Sequence, residues 1–172
     1  MDLHYVIERM AANGRVFESL TQGMTFQQAS WKPAPDKWSI LEVVNHLYDE
    51  EREDFRQRLQ LVLADAALPW PPIAPQEWVT ARAYSERELG QSVVNFLSER
   101  EKSLSWLKSL RSPNLGSRHD REAGSLSAGD LLASWLAHDF LHIRQLTRLH
   151  WQYLTANAIP FQTDYAGPWK ES

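Results

Sequence analysis

The sequence predicts an all-α chain folded as a four-helix bundle, and three observations carry that prediction. Apolar residues recur at three- and four-residue spacing over four long segments. Glycine is scarce, at seven of 172 residues, and the nine prolines fall between those segments rather than inside them. Two of the segments open with a serine three residues before a glutamate, the spacing of a capping box.

The first segment spans about residues 3–20, where Leu3, Val6, Ile7, Met10, Phe17 and Leu20 share one face. A connector with Trp31, Pro33 and Pro35 follows. Ser39 and Glu42 then predict the start of a second helix reaching about residue 63, with Ile40, Val43, Val44, Leu47, Phe55, Leu59 and Val62 inward. Residues 69–75, five of which are proline or tryptophan, end that pattern because proline at this density cannot continue a helix. Ser85 and Glu88 have the spacing to cap a third helix, marked by Leu89, Val93, Leu97, Leu104, Leu107 and Leu110 and stopped by Ser112-Pro113-Asn114. Ser127 caps a fourth, lined by Leu131, Leu132, Trp135, Leu146 and Leu149. The tail from about 151 to 172 carries Tyr153, Phe161, Tyr165 and Trp169, and is expected to pack on the bundle.

The reading is of one domain over residues 1–172, with neither repeat nor linker. A second helix about 36 Å long could be retraced by the roughly twenty residues that follow it. Helices two and three are therefore expected to run parallel, joined by a crossover.

Composition narrows the function. Acidic residues outnumber basic ones 22 to 18, so no basic field for a phosphate backbone exists and nucleic acid is not an expected partner. No apolar run reaches the roughly 18 residues of a membrane span, and no secretory leader is visible, so a cytoplasmic location is expected. Cysteine is absent, which removes disulfides, thiolate metal ligands and a cysteine nucleophile.

Six histidines remain to be placed. His138 and His142 stand four apart, about 40° apart on a helical wheel, inside the apolar stripe of the fourth helix. Two imidazoles one turn apart can converge on one ion; the alternative is a pair of core imidazoles, each bonded to a polar neighbour. His46 borders the apolar stripe of the second helix and is the third candidate ligand. Glu51 falls near the centre of that stripe, where a carboxylate is costly unless paired, so it reads as a partner for a ligand imidazole. The charge run around it reads as solvated at Glu53. His138-Asp139-Phe140-Leu141-His142 differs from the His-Glu-x-x-His of zinc proteases by an acid one methylene shorter, which argues against proteolysis. His4, His119 and His150 have no convergent context.

Residues 38–47, Trp-Ser-Ile-Leu-Glu-Val-Val-Asn-His-Leu, followed by Glu51, resemble the second-helix signature of the DinB/YfiT-like superfamily. Residues 138–146, His-Asp-Phe-Leu-His-Ile-Arg-Gln-Leu, resemble its fourth-helix signature. The resemblance implies up-down-down-up topology and a divalent metal (nickel, zinc, iron or manganese) held by His46, His138 and His142. It also implies thiol chemistry, since some relatives are bacillithiol S-transferases or mycothiol-dependent isomerases, and assembly as a homodimer.

Three neutral imidazoles leave the ion's charge uncompensated and a coordination position open. The favoured reading is therefore activation of a low-molecular-weight thiol, brought in as cosubstrate, for attack on a small electrophile. Glu51 would orient a ligand or accept a proton; Asp139 is a second acid–base candidate, turned toward a neighbouring helix. The alternatives are hydrolysis by metal-activated water, a non-catalytic metal-binding or stress-response bundle, and a helical interaction module with core histidines.

Overall fold

The computed structural model describes residues 2–122 and 124–170. Four long helices form the bundle. Helix α1 spans Leu3–Thr21, capped by the Asp2 carboxylate, which accepts from the His4 amide at 3.0 Å. Helix α2 is one rod in three parts, α-helical over Ile40–Asp49, π-helical over Glu50–Phe55 and α-helical again over Arg56–Ala64. The Ser39–Glu42 capping box closes its start in both directions. Helix α3 spans Leu89–Ser109 and α4 spans Ala128–Asn157, the latter opened by a box between Ser127 and Asp130.

The cap of α3 differs from the sequence reading. Glu88, not Ser85, is the N-cap, and its two carboxylate oxygens accept from the Gly90 and Gln91 amides at 2.7 and 2.6 Å. Ser85 lies one turn earlier, in the 3-10 turn Tyr84–Glu86, which extended Arg87 separates from the helix. The fourth helix also runs further than expected. It continues through Trp151 and Tyr153, because no proline intervenes before Pro160.

Two apolar clusters give the helix directions. One joins Val6, Ile7 and Met10 of α1, Leu59 and Val62 of α2, Leu104 and Leu107 of α3, and Leu131, Leu132 and Trp135 of α4. The other joins Phe17 of α1, Ile40 to Leu47 of α2, Leu89 and Phe96 of α3, and Leu146 and Leu149 of α4. The start of α1 thus lies level with the ends of α2 and α3 and the start of α4. That order is up-down-down-up, with α2 and α3 parallel.

The crossover from α2 to α3 is itself structured. Pro75 occupies the first turn of a short helix, Pro75–Ala81, where its missing amide costs nothing. Trp70 stacks on His119 with centroids 4.3 Å apart, binding the crossover to a two-stranded hairpin of Arg118–His119 and Leu126–Ser127. Within residues 151–172, Tyr153 meets Trp31 edge-on at 5.6 Å and Trp169 meets Trp151 at 5.9 Å. Phe161 and Tyr165 stand exposed to solvent. No helix among the described residues is long and apolar enough to cross a membrane.

Candidate metal centre

His46 lies in the last regular turn of α2 ahead of the π-helical segment, while His138 and His142 occupy successive turns of α4. The packing of these helices brings the three rings together. His46 Nε2 lies 3.4 Å from His138 Nε2, which lies 3.0 Å from His142 Nε2. One nitrogen from each ring can be chosen so that all fall within 4.8 Å of one another. The Trp38 ring packs on His46 at 4.9 Å and Phe55 on His138 at 5.0 Å, fixing the ring planes.

Protonation and tautomer favour a ligand role. Burial pushes His46 down to about 3, helped by the neighbouring His142. The same burial lowers His138 and His142, so all three are neutral at pH 7. His142 Nδ1 donates to Gln145 Oε1 at 2.7 Å, which leaves the Nε2 lone pair directed at the other rings. His46 Nδ1 is buried with no hydrogen-bond partner among the described residues. Three ligand nitrogens about 2.0–2.1 Å from one ion stand about 3.0–3.4 Å apart, and both measured Nε2 separations match that spacing. The donor set therefore fits a first-row divalent cation.

Glu51 and Asp139 meet at a third side chain. Both are buried, and Arg100 of α3 holds both. Its Nε and Nη2 donate to Glu51 at 2.9 Å each; its Nη1 and Nη2 donate to Asp139 at 2.7 Å each. Trp135 Nε1 adds a bond to Glu51 at 2.9 Å and Asn13 Nδ2 one to Asp139 at 3.1 Å. Two carboxylates against one guanidinium leave one formal negative charge, near enough for Arg100 to act on His138 and Asp139 on His142. The one member of the charge run read as solvated, Glu53, is partly enclosed, and its neighbours are interior. Asp49, Glu50 and Asp54 are buried, and Glu53 is half-buried and paired with Arg82 at 2.8 Å.

Two groups escaped the sequence reading, Arg100 and the π-helical turn, while Gln145 stood in the fourth-helix signature without a role. Arg100 had a visible signal, since it fills the gap in the α3 stripe between Phe96 and Leu104 at four-residue spacing. Gln145 stands three residues after His142, within reach on the same face. Nothing in residues 50–55 announces a π turn, although such turns concentrate at functional sites.

A sequence profile of the DinB superfamily matches residues 9–146. No curated protein matches the chain. Among solved structures, YfiT from Bacillus subtilis, described as a probable metal-dependent hydrolase with an unusual four-helix bundle topology, is similar at a TM-score of 0.78. The two share 16% identity, and the match covers 88% of this chain and 87% of that one, a likeness of fold. With the profile match extending over well more than half its length, this chain belongs to the DinB superfamily.

Proposed function

We propose that this protein is a divalent-metal-dependent enzyme that activates a small external thiol for attack on an electrophile. The observation that carries the reading is the convergence of three neutral imidazoles, one from α2 and two from α4, with nitrogens spaced for one ion. A bound ion would supply a Lewis-acidic centre that lowers the pKa of a thiol or a water.

The chain's own residues hold that centre in place. Gln145 fixes the His142 tautomer, Trp38 and Phe55 brace the rings, and Arg100 holds Glu51 and Asp139. The two acids act through their surplus negative charge, which favours a cation nearby. A thiol, with an ordinary pKa of about 8.5, needs little help to ionise, whereas water starts near 15.7. That difference favours sulfur as nucleophile, and the absence of cysteine means it arrives with a cosubstrate. Hydrolysis by water at the same centre is the second reading, favoured by the description of the Bacillus subtilis structure.

The purified protein should carry about one divalent ion per chain, and His138→Ala should lower that content about tenfold or more while far-ultraviolet circular dichroism stays helical. Equal metal content in the two proteins would overturn the centre. With metal in place, monochlorobimane should be consumed only when bacillithiol, mycothiol or glutathione is added. Ester hydrolysis without any thiol, and no thiol-dependent turnover, would replace the first reading by the second.

A further inference from the structure

The connector over residues 31–38 begins and ends in tryptophan and carries Pro33 and Pro35 between, whose locked φ stiffens it. It runs beside α4, where Gln145, Leu149, Gln152 and Ala156 share a face at three- and four-residue spacing. Hollows lie between the two. One of about 380 Å³ is the mouth of the metal centre, lined by His46, His142, Trp38 and Gln145. A second, of about 290 Å³, shares Trp38 and Gln145 with the mouth and adds Pro33, Leu149 and Gln152. Another, of about 350 Å³, shares Pro33 and Gln152 with the second and is walled by Trp31 and Trp151.

The shared residues make these hollows one trough, which α4 follows for about 15 Å from Gln145 to Thr155. The indoles along it are each braced by a further ring: Trp38 by His46 at 4.9 Å, Trp31 edge-on by Tyr153 at 5.6 Å, and Trp151 by Trp169 at 5.9 Å. Rings held in this way lose little freedom when a ligand settles on them. Lys37 and Arg148 also border the trough and both are engaged, Lys37 with Asp36 at 2.8 Å. The walls present indole, proline and leucine surface together with the amides of Gln145 and Gln152. Aromatic rings stack on such surface, and a side-chain amide donates to a carbonyl oxygen.

We propose that this trough binds a flat, uncharged aromatic molecule among Trp38, Trp31 and Trp151, as the electrophile whose reactive end reaches the mouth beside His46 and His142. Its role as a substrate site rests on the metal-dependent reading above; the binding itself rests on the trough alone. An aliphatic molecule would gain burial there but no stacking, and a sugar would set many hydroxyls against indole, proline and leucine.

N-phenyl-1-naphthylamine, a neutral aromatic dye that fluoresces in apolar surroundings, tests the trough in the full chain. It should bind at about one site per chain, and 1-naphthol should displace it about tenfold more effectively than cyclohexanol or maltose. Gln152→Arg, which sets a longer, charged side chain where two hollows meet, should weaken the dye about tenfold, and Trp31→Ala about three- to tenfold. Circular dichroism checks that both variants stay helical, and Gln152→Arg removes no packing contact should Trp31→Ala fail to fold. Unchanged dye affinity in Gln152→Arg, or displacement by cyclohexanol or maltose as readily as by 1-naphthol, overturns the proposal. Metal content, measured on the same samples, separates the two readings. A metal-free protein that binds the dye in this pattern keeps the trough and refutes the metal enzyme, and a metal-loaded protein that does not bind it does the reverse.

Discussion

Arg100 makes four hydrogen bonds to two carboxylates from inside the bundle, at 3% exposure. Truncating one partner of such a web leaves the others charged and without water. Arg100→Leu is expected to lower unfolding free energy by about 3–5 kcal/mol, because Glu51 and Asp139 would face each other unneutralised. Arg100→Lys keeps the charge but not the planar fork that reaches both acids, and should cost about 2 kcal/mol. Urea unfolding of the metal-free proteins measures both, and a leucine variant within about 1 kcal/mol of wild type would contradict the account. The pair His138 and His142 was legible because four-residue spacing speaks within one helix, and His46 from its place at the edge of the α2 stripe. Which acid meets which base was not, since Glu51, Arg100 and Asp139 lie on three helices whose facing is decided only by packing.

Among the elements, the helix starts show how local rules compete. Ser85 and Glu88 have capping-box spacing, yet the chain uses Glu88 itself, whose longer side chain folds over two amides at once. Glu88→Ala should therefore cost about 1 kcal/mol, and Ser85→Ala about 0.3 kcal/mol or less, by thermal or urea unfolding. The reverse order would restore the serine as cap. Three helix spans and the parallel crossover were readable from periodicity and loop length. The hairpin was not, because strands of two residues carry no alternation to detect. The extension of α4 to Asn157 was recoverable in principle from the lack of any Gly or Pro between residues 130 and 159.

For the whole molecule, buried groups of opposite habit set the dependence on pH, the three histidines on one side and Glu50 on the other. His46, pushed down to about 3 in the fold, binds its proton near 6.5 when unfolded, so stability rises with pH between those values. Glu50 runs the other way. Burial and the nearby Asp54 carboxylate push it up to about 8 from 4.5, so it keeps a proton the unfolded chain releases, and stability falls as pH rises across that window. With three histidines on the rising side against one glutamate on the falling side, the metal-free protein should be most stable near pH 6.5. Glu50→Gln, which cannot ionise, should match wild type below pH 4.5 and exceed it by on the order of 1–3 kcal/mol above about pH 8. Parallel stability curves for the two proteins, measured in chelator, would remove Glu50 from this role.

The polar web has a further effect through its height in the bundle. Asn13 follows Met10 and precedes Phe17; Glu51 lies between Leu47 and Leu59, Arg100 between Phe96 and Leu104, and Asp139 between Trp135 and Leu146. Every long helix therefore contributes one hydrophilic group to a waist separating two oily lobes. Were any rod to slide by a turn, it would maroon an ion in hydrocarbon, a penalty far larger than the mismatch of one leucine against another. Leucine-rich faces tolerate slippage; this waist opposes it, and so keeps imidazoles from different rods in register.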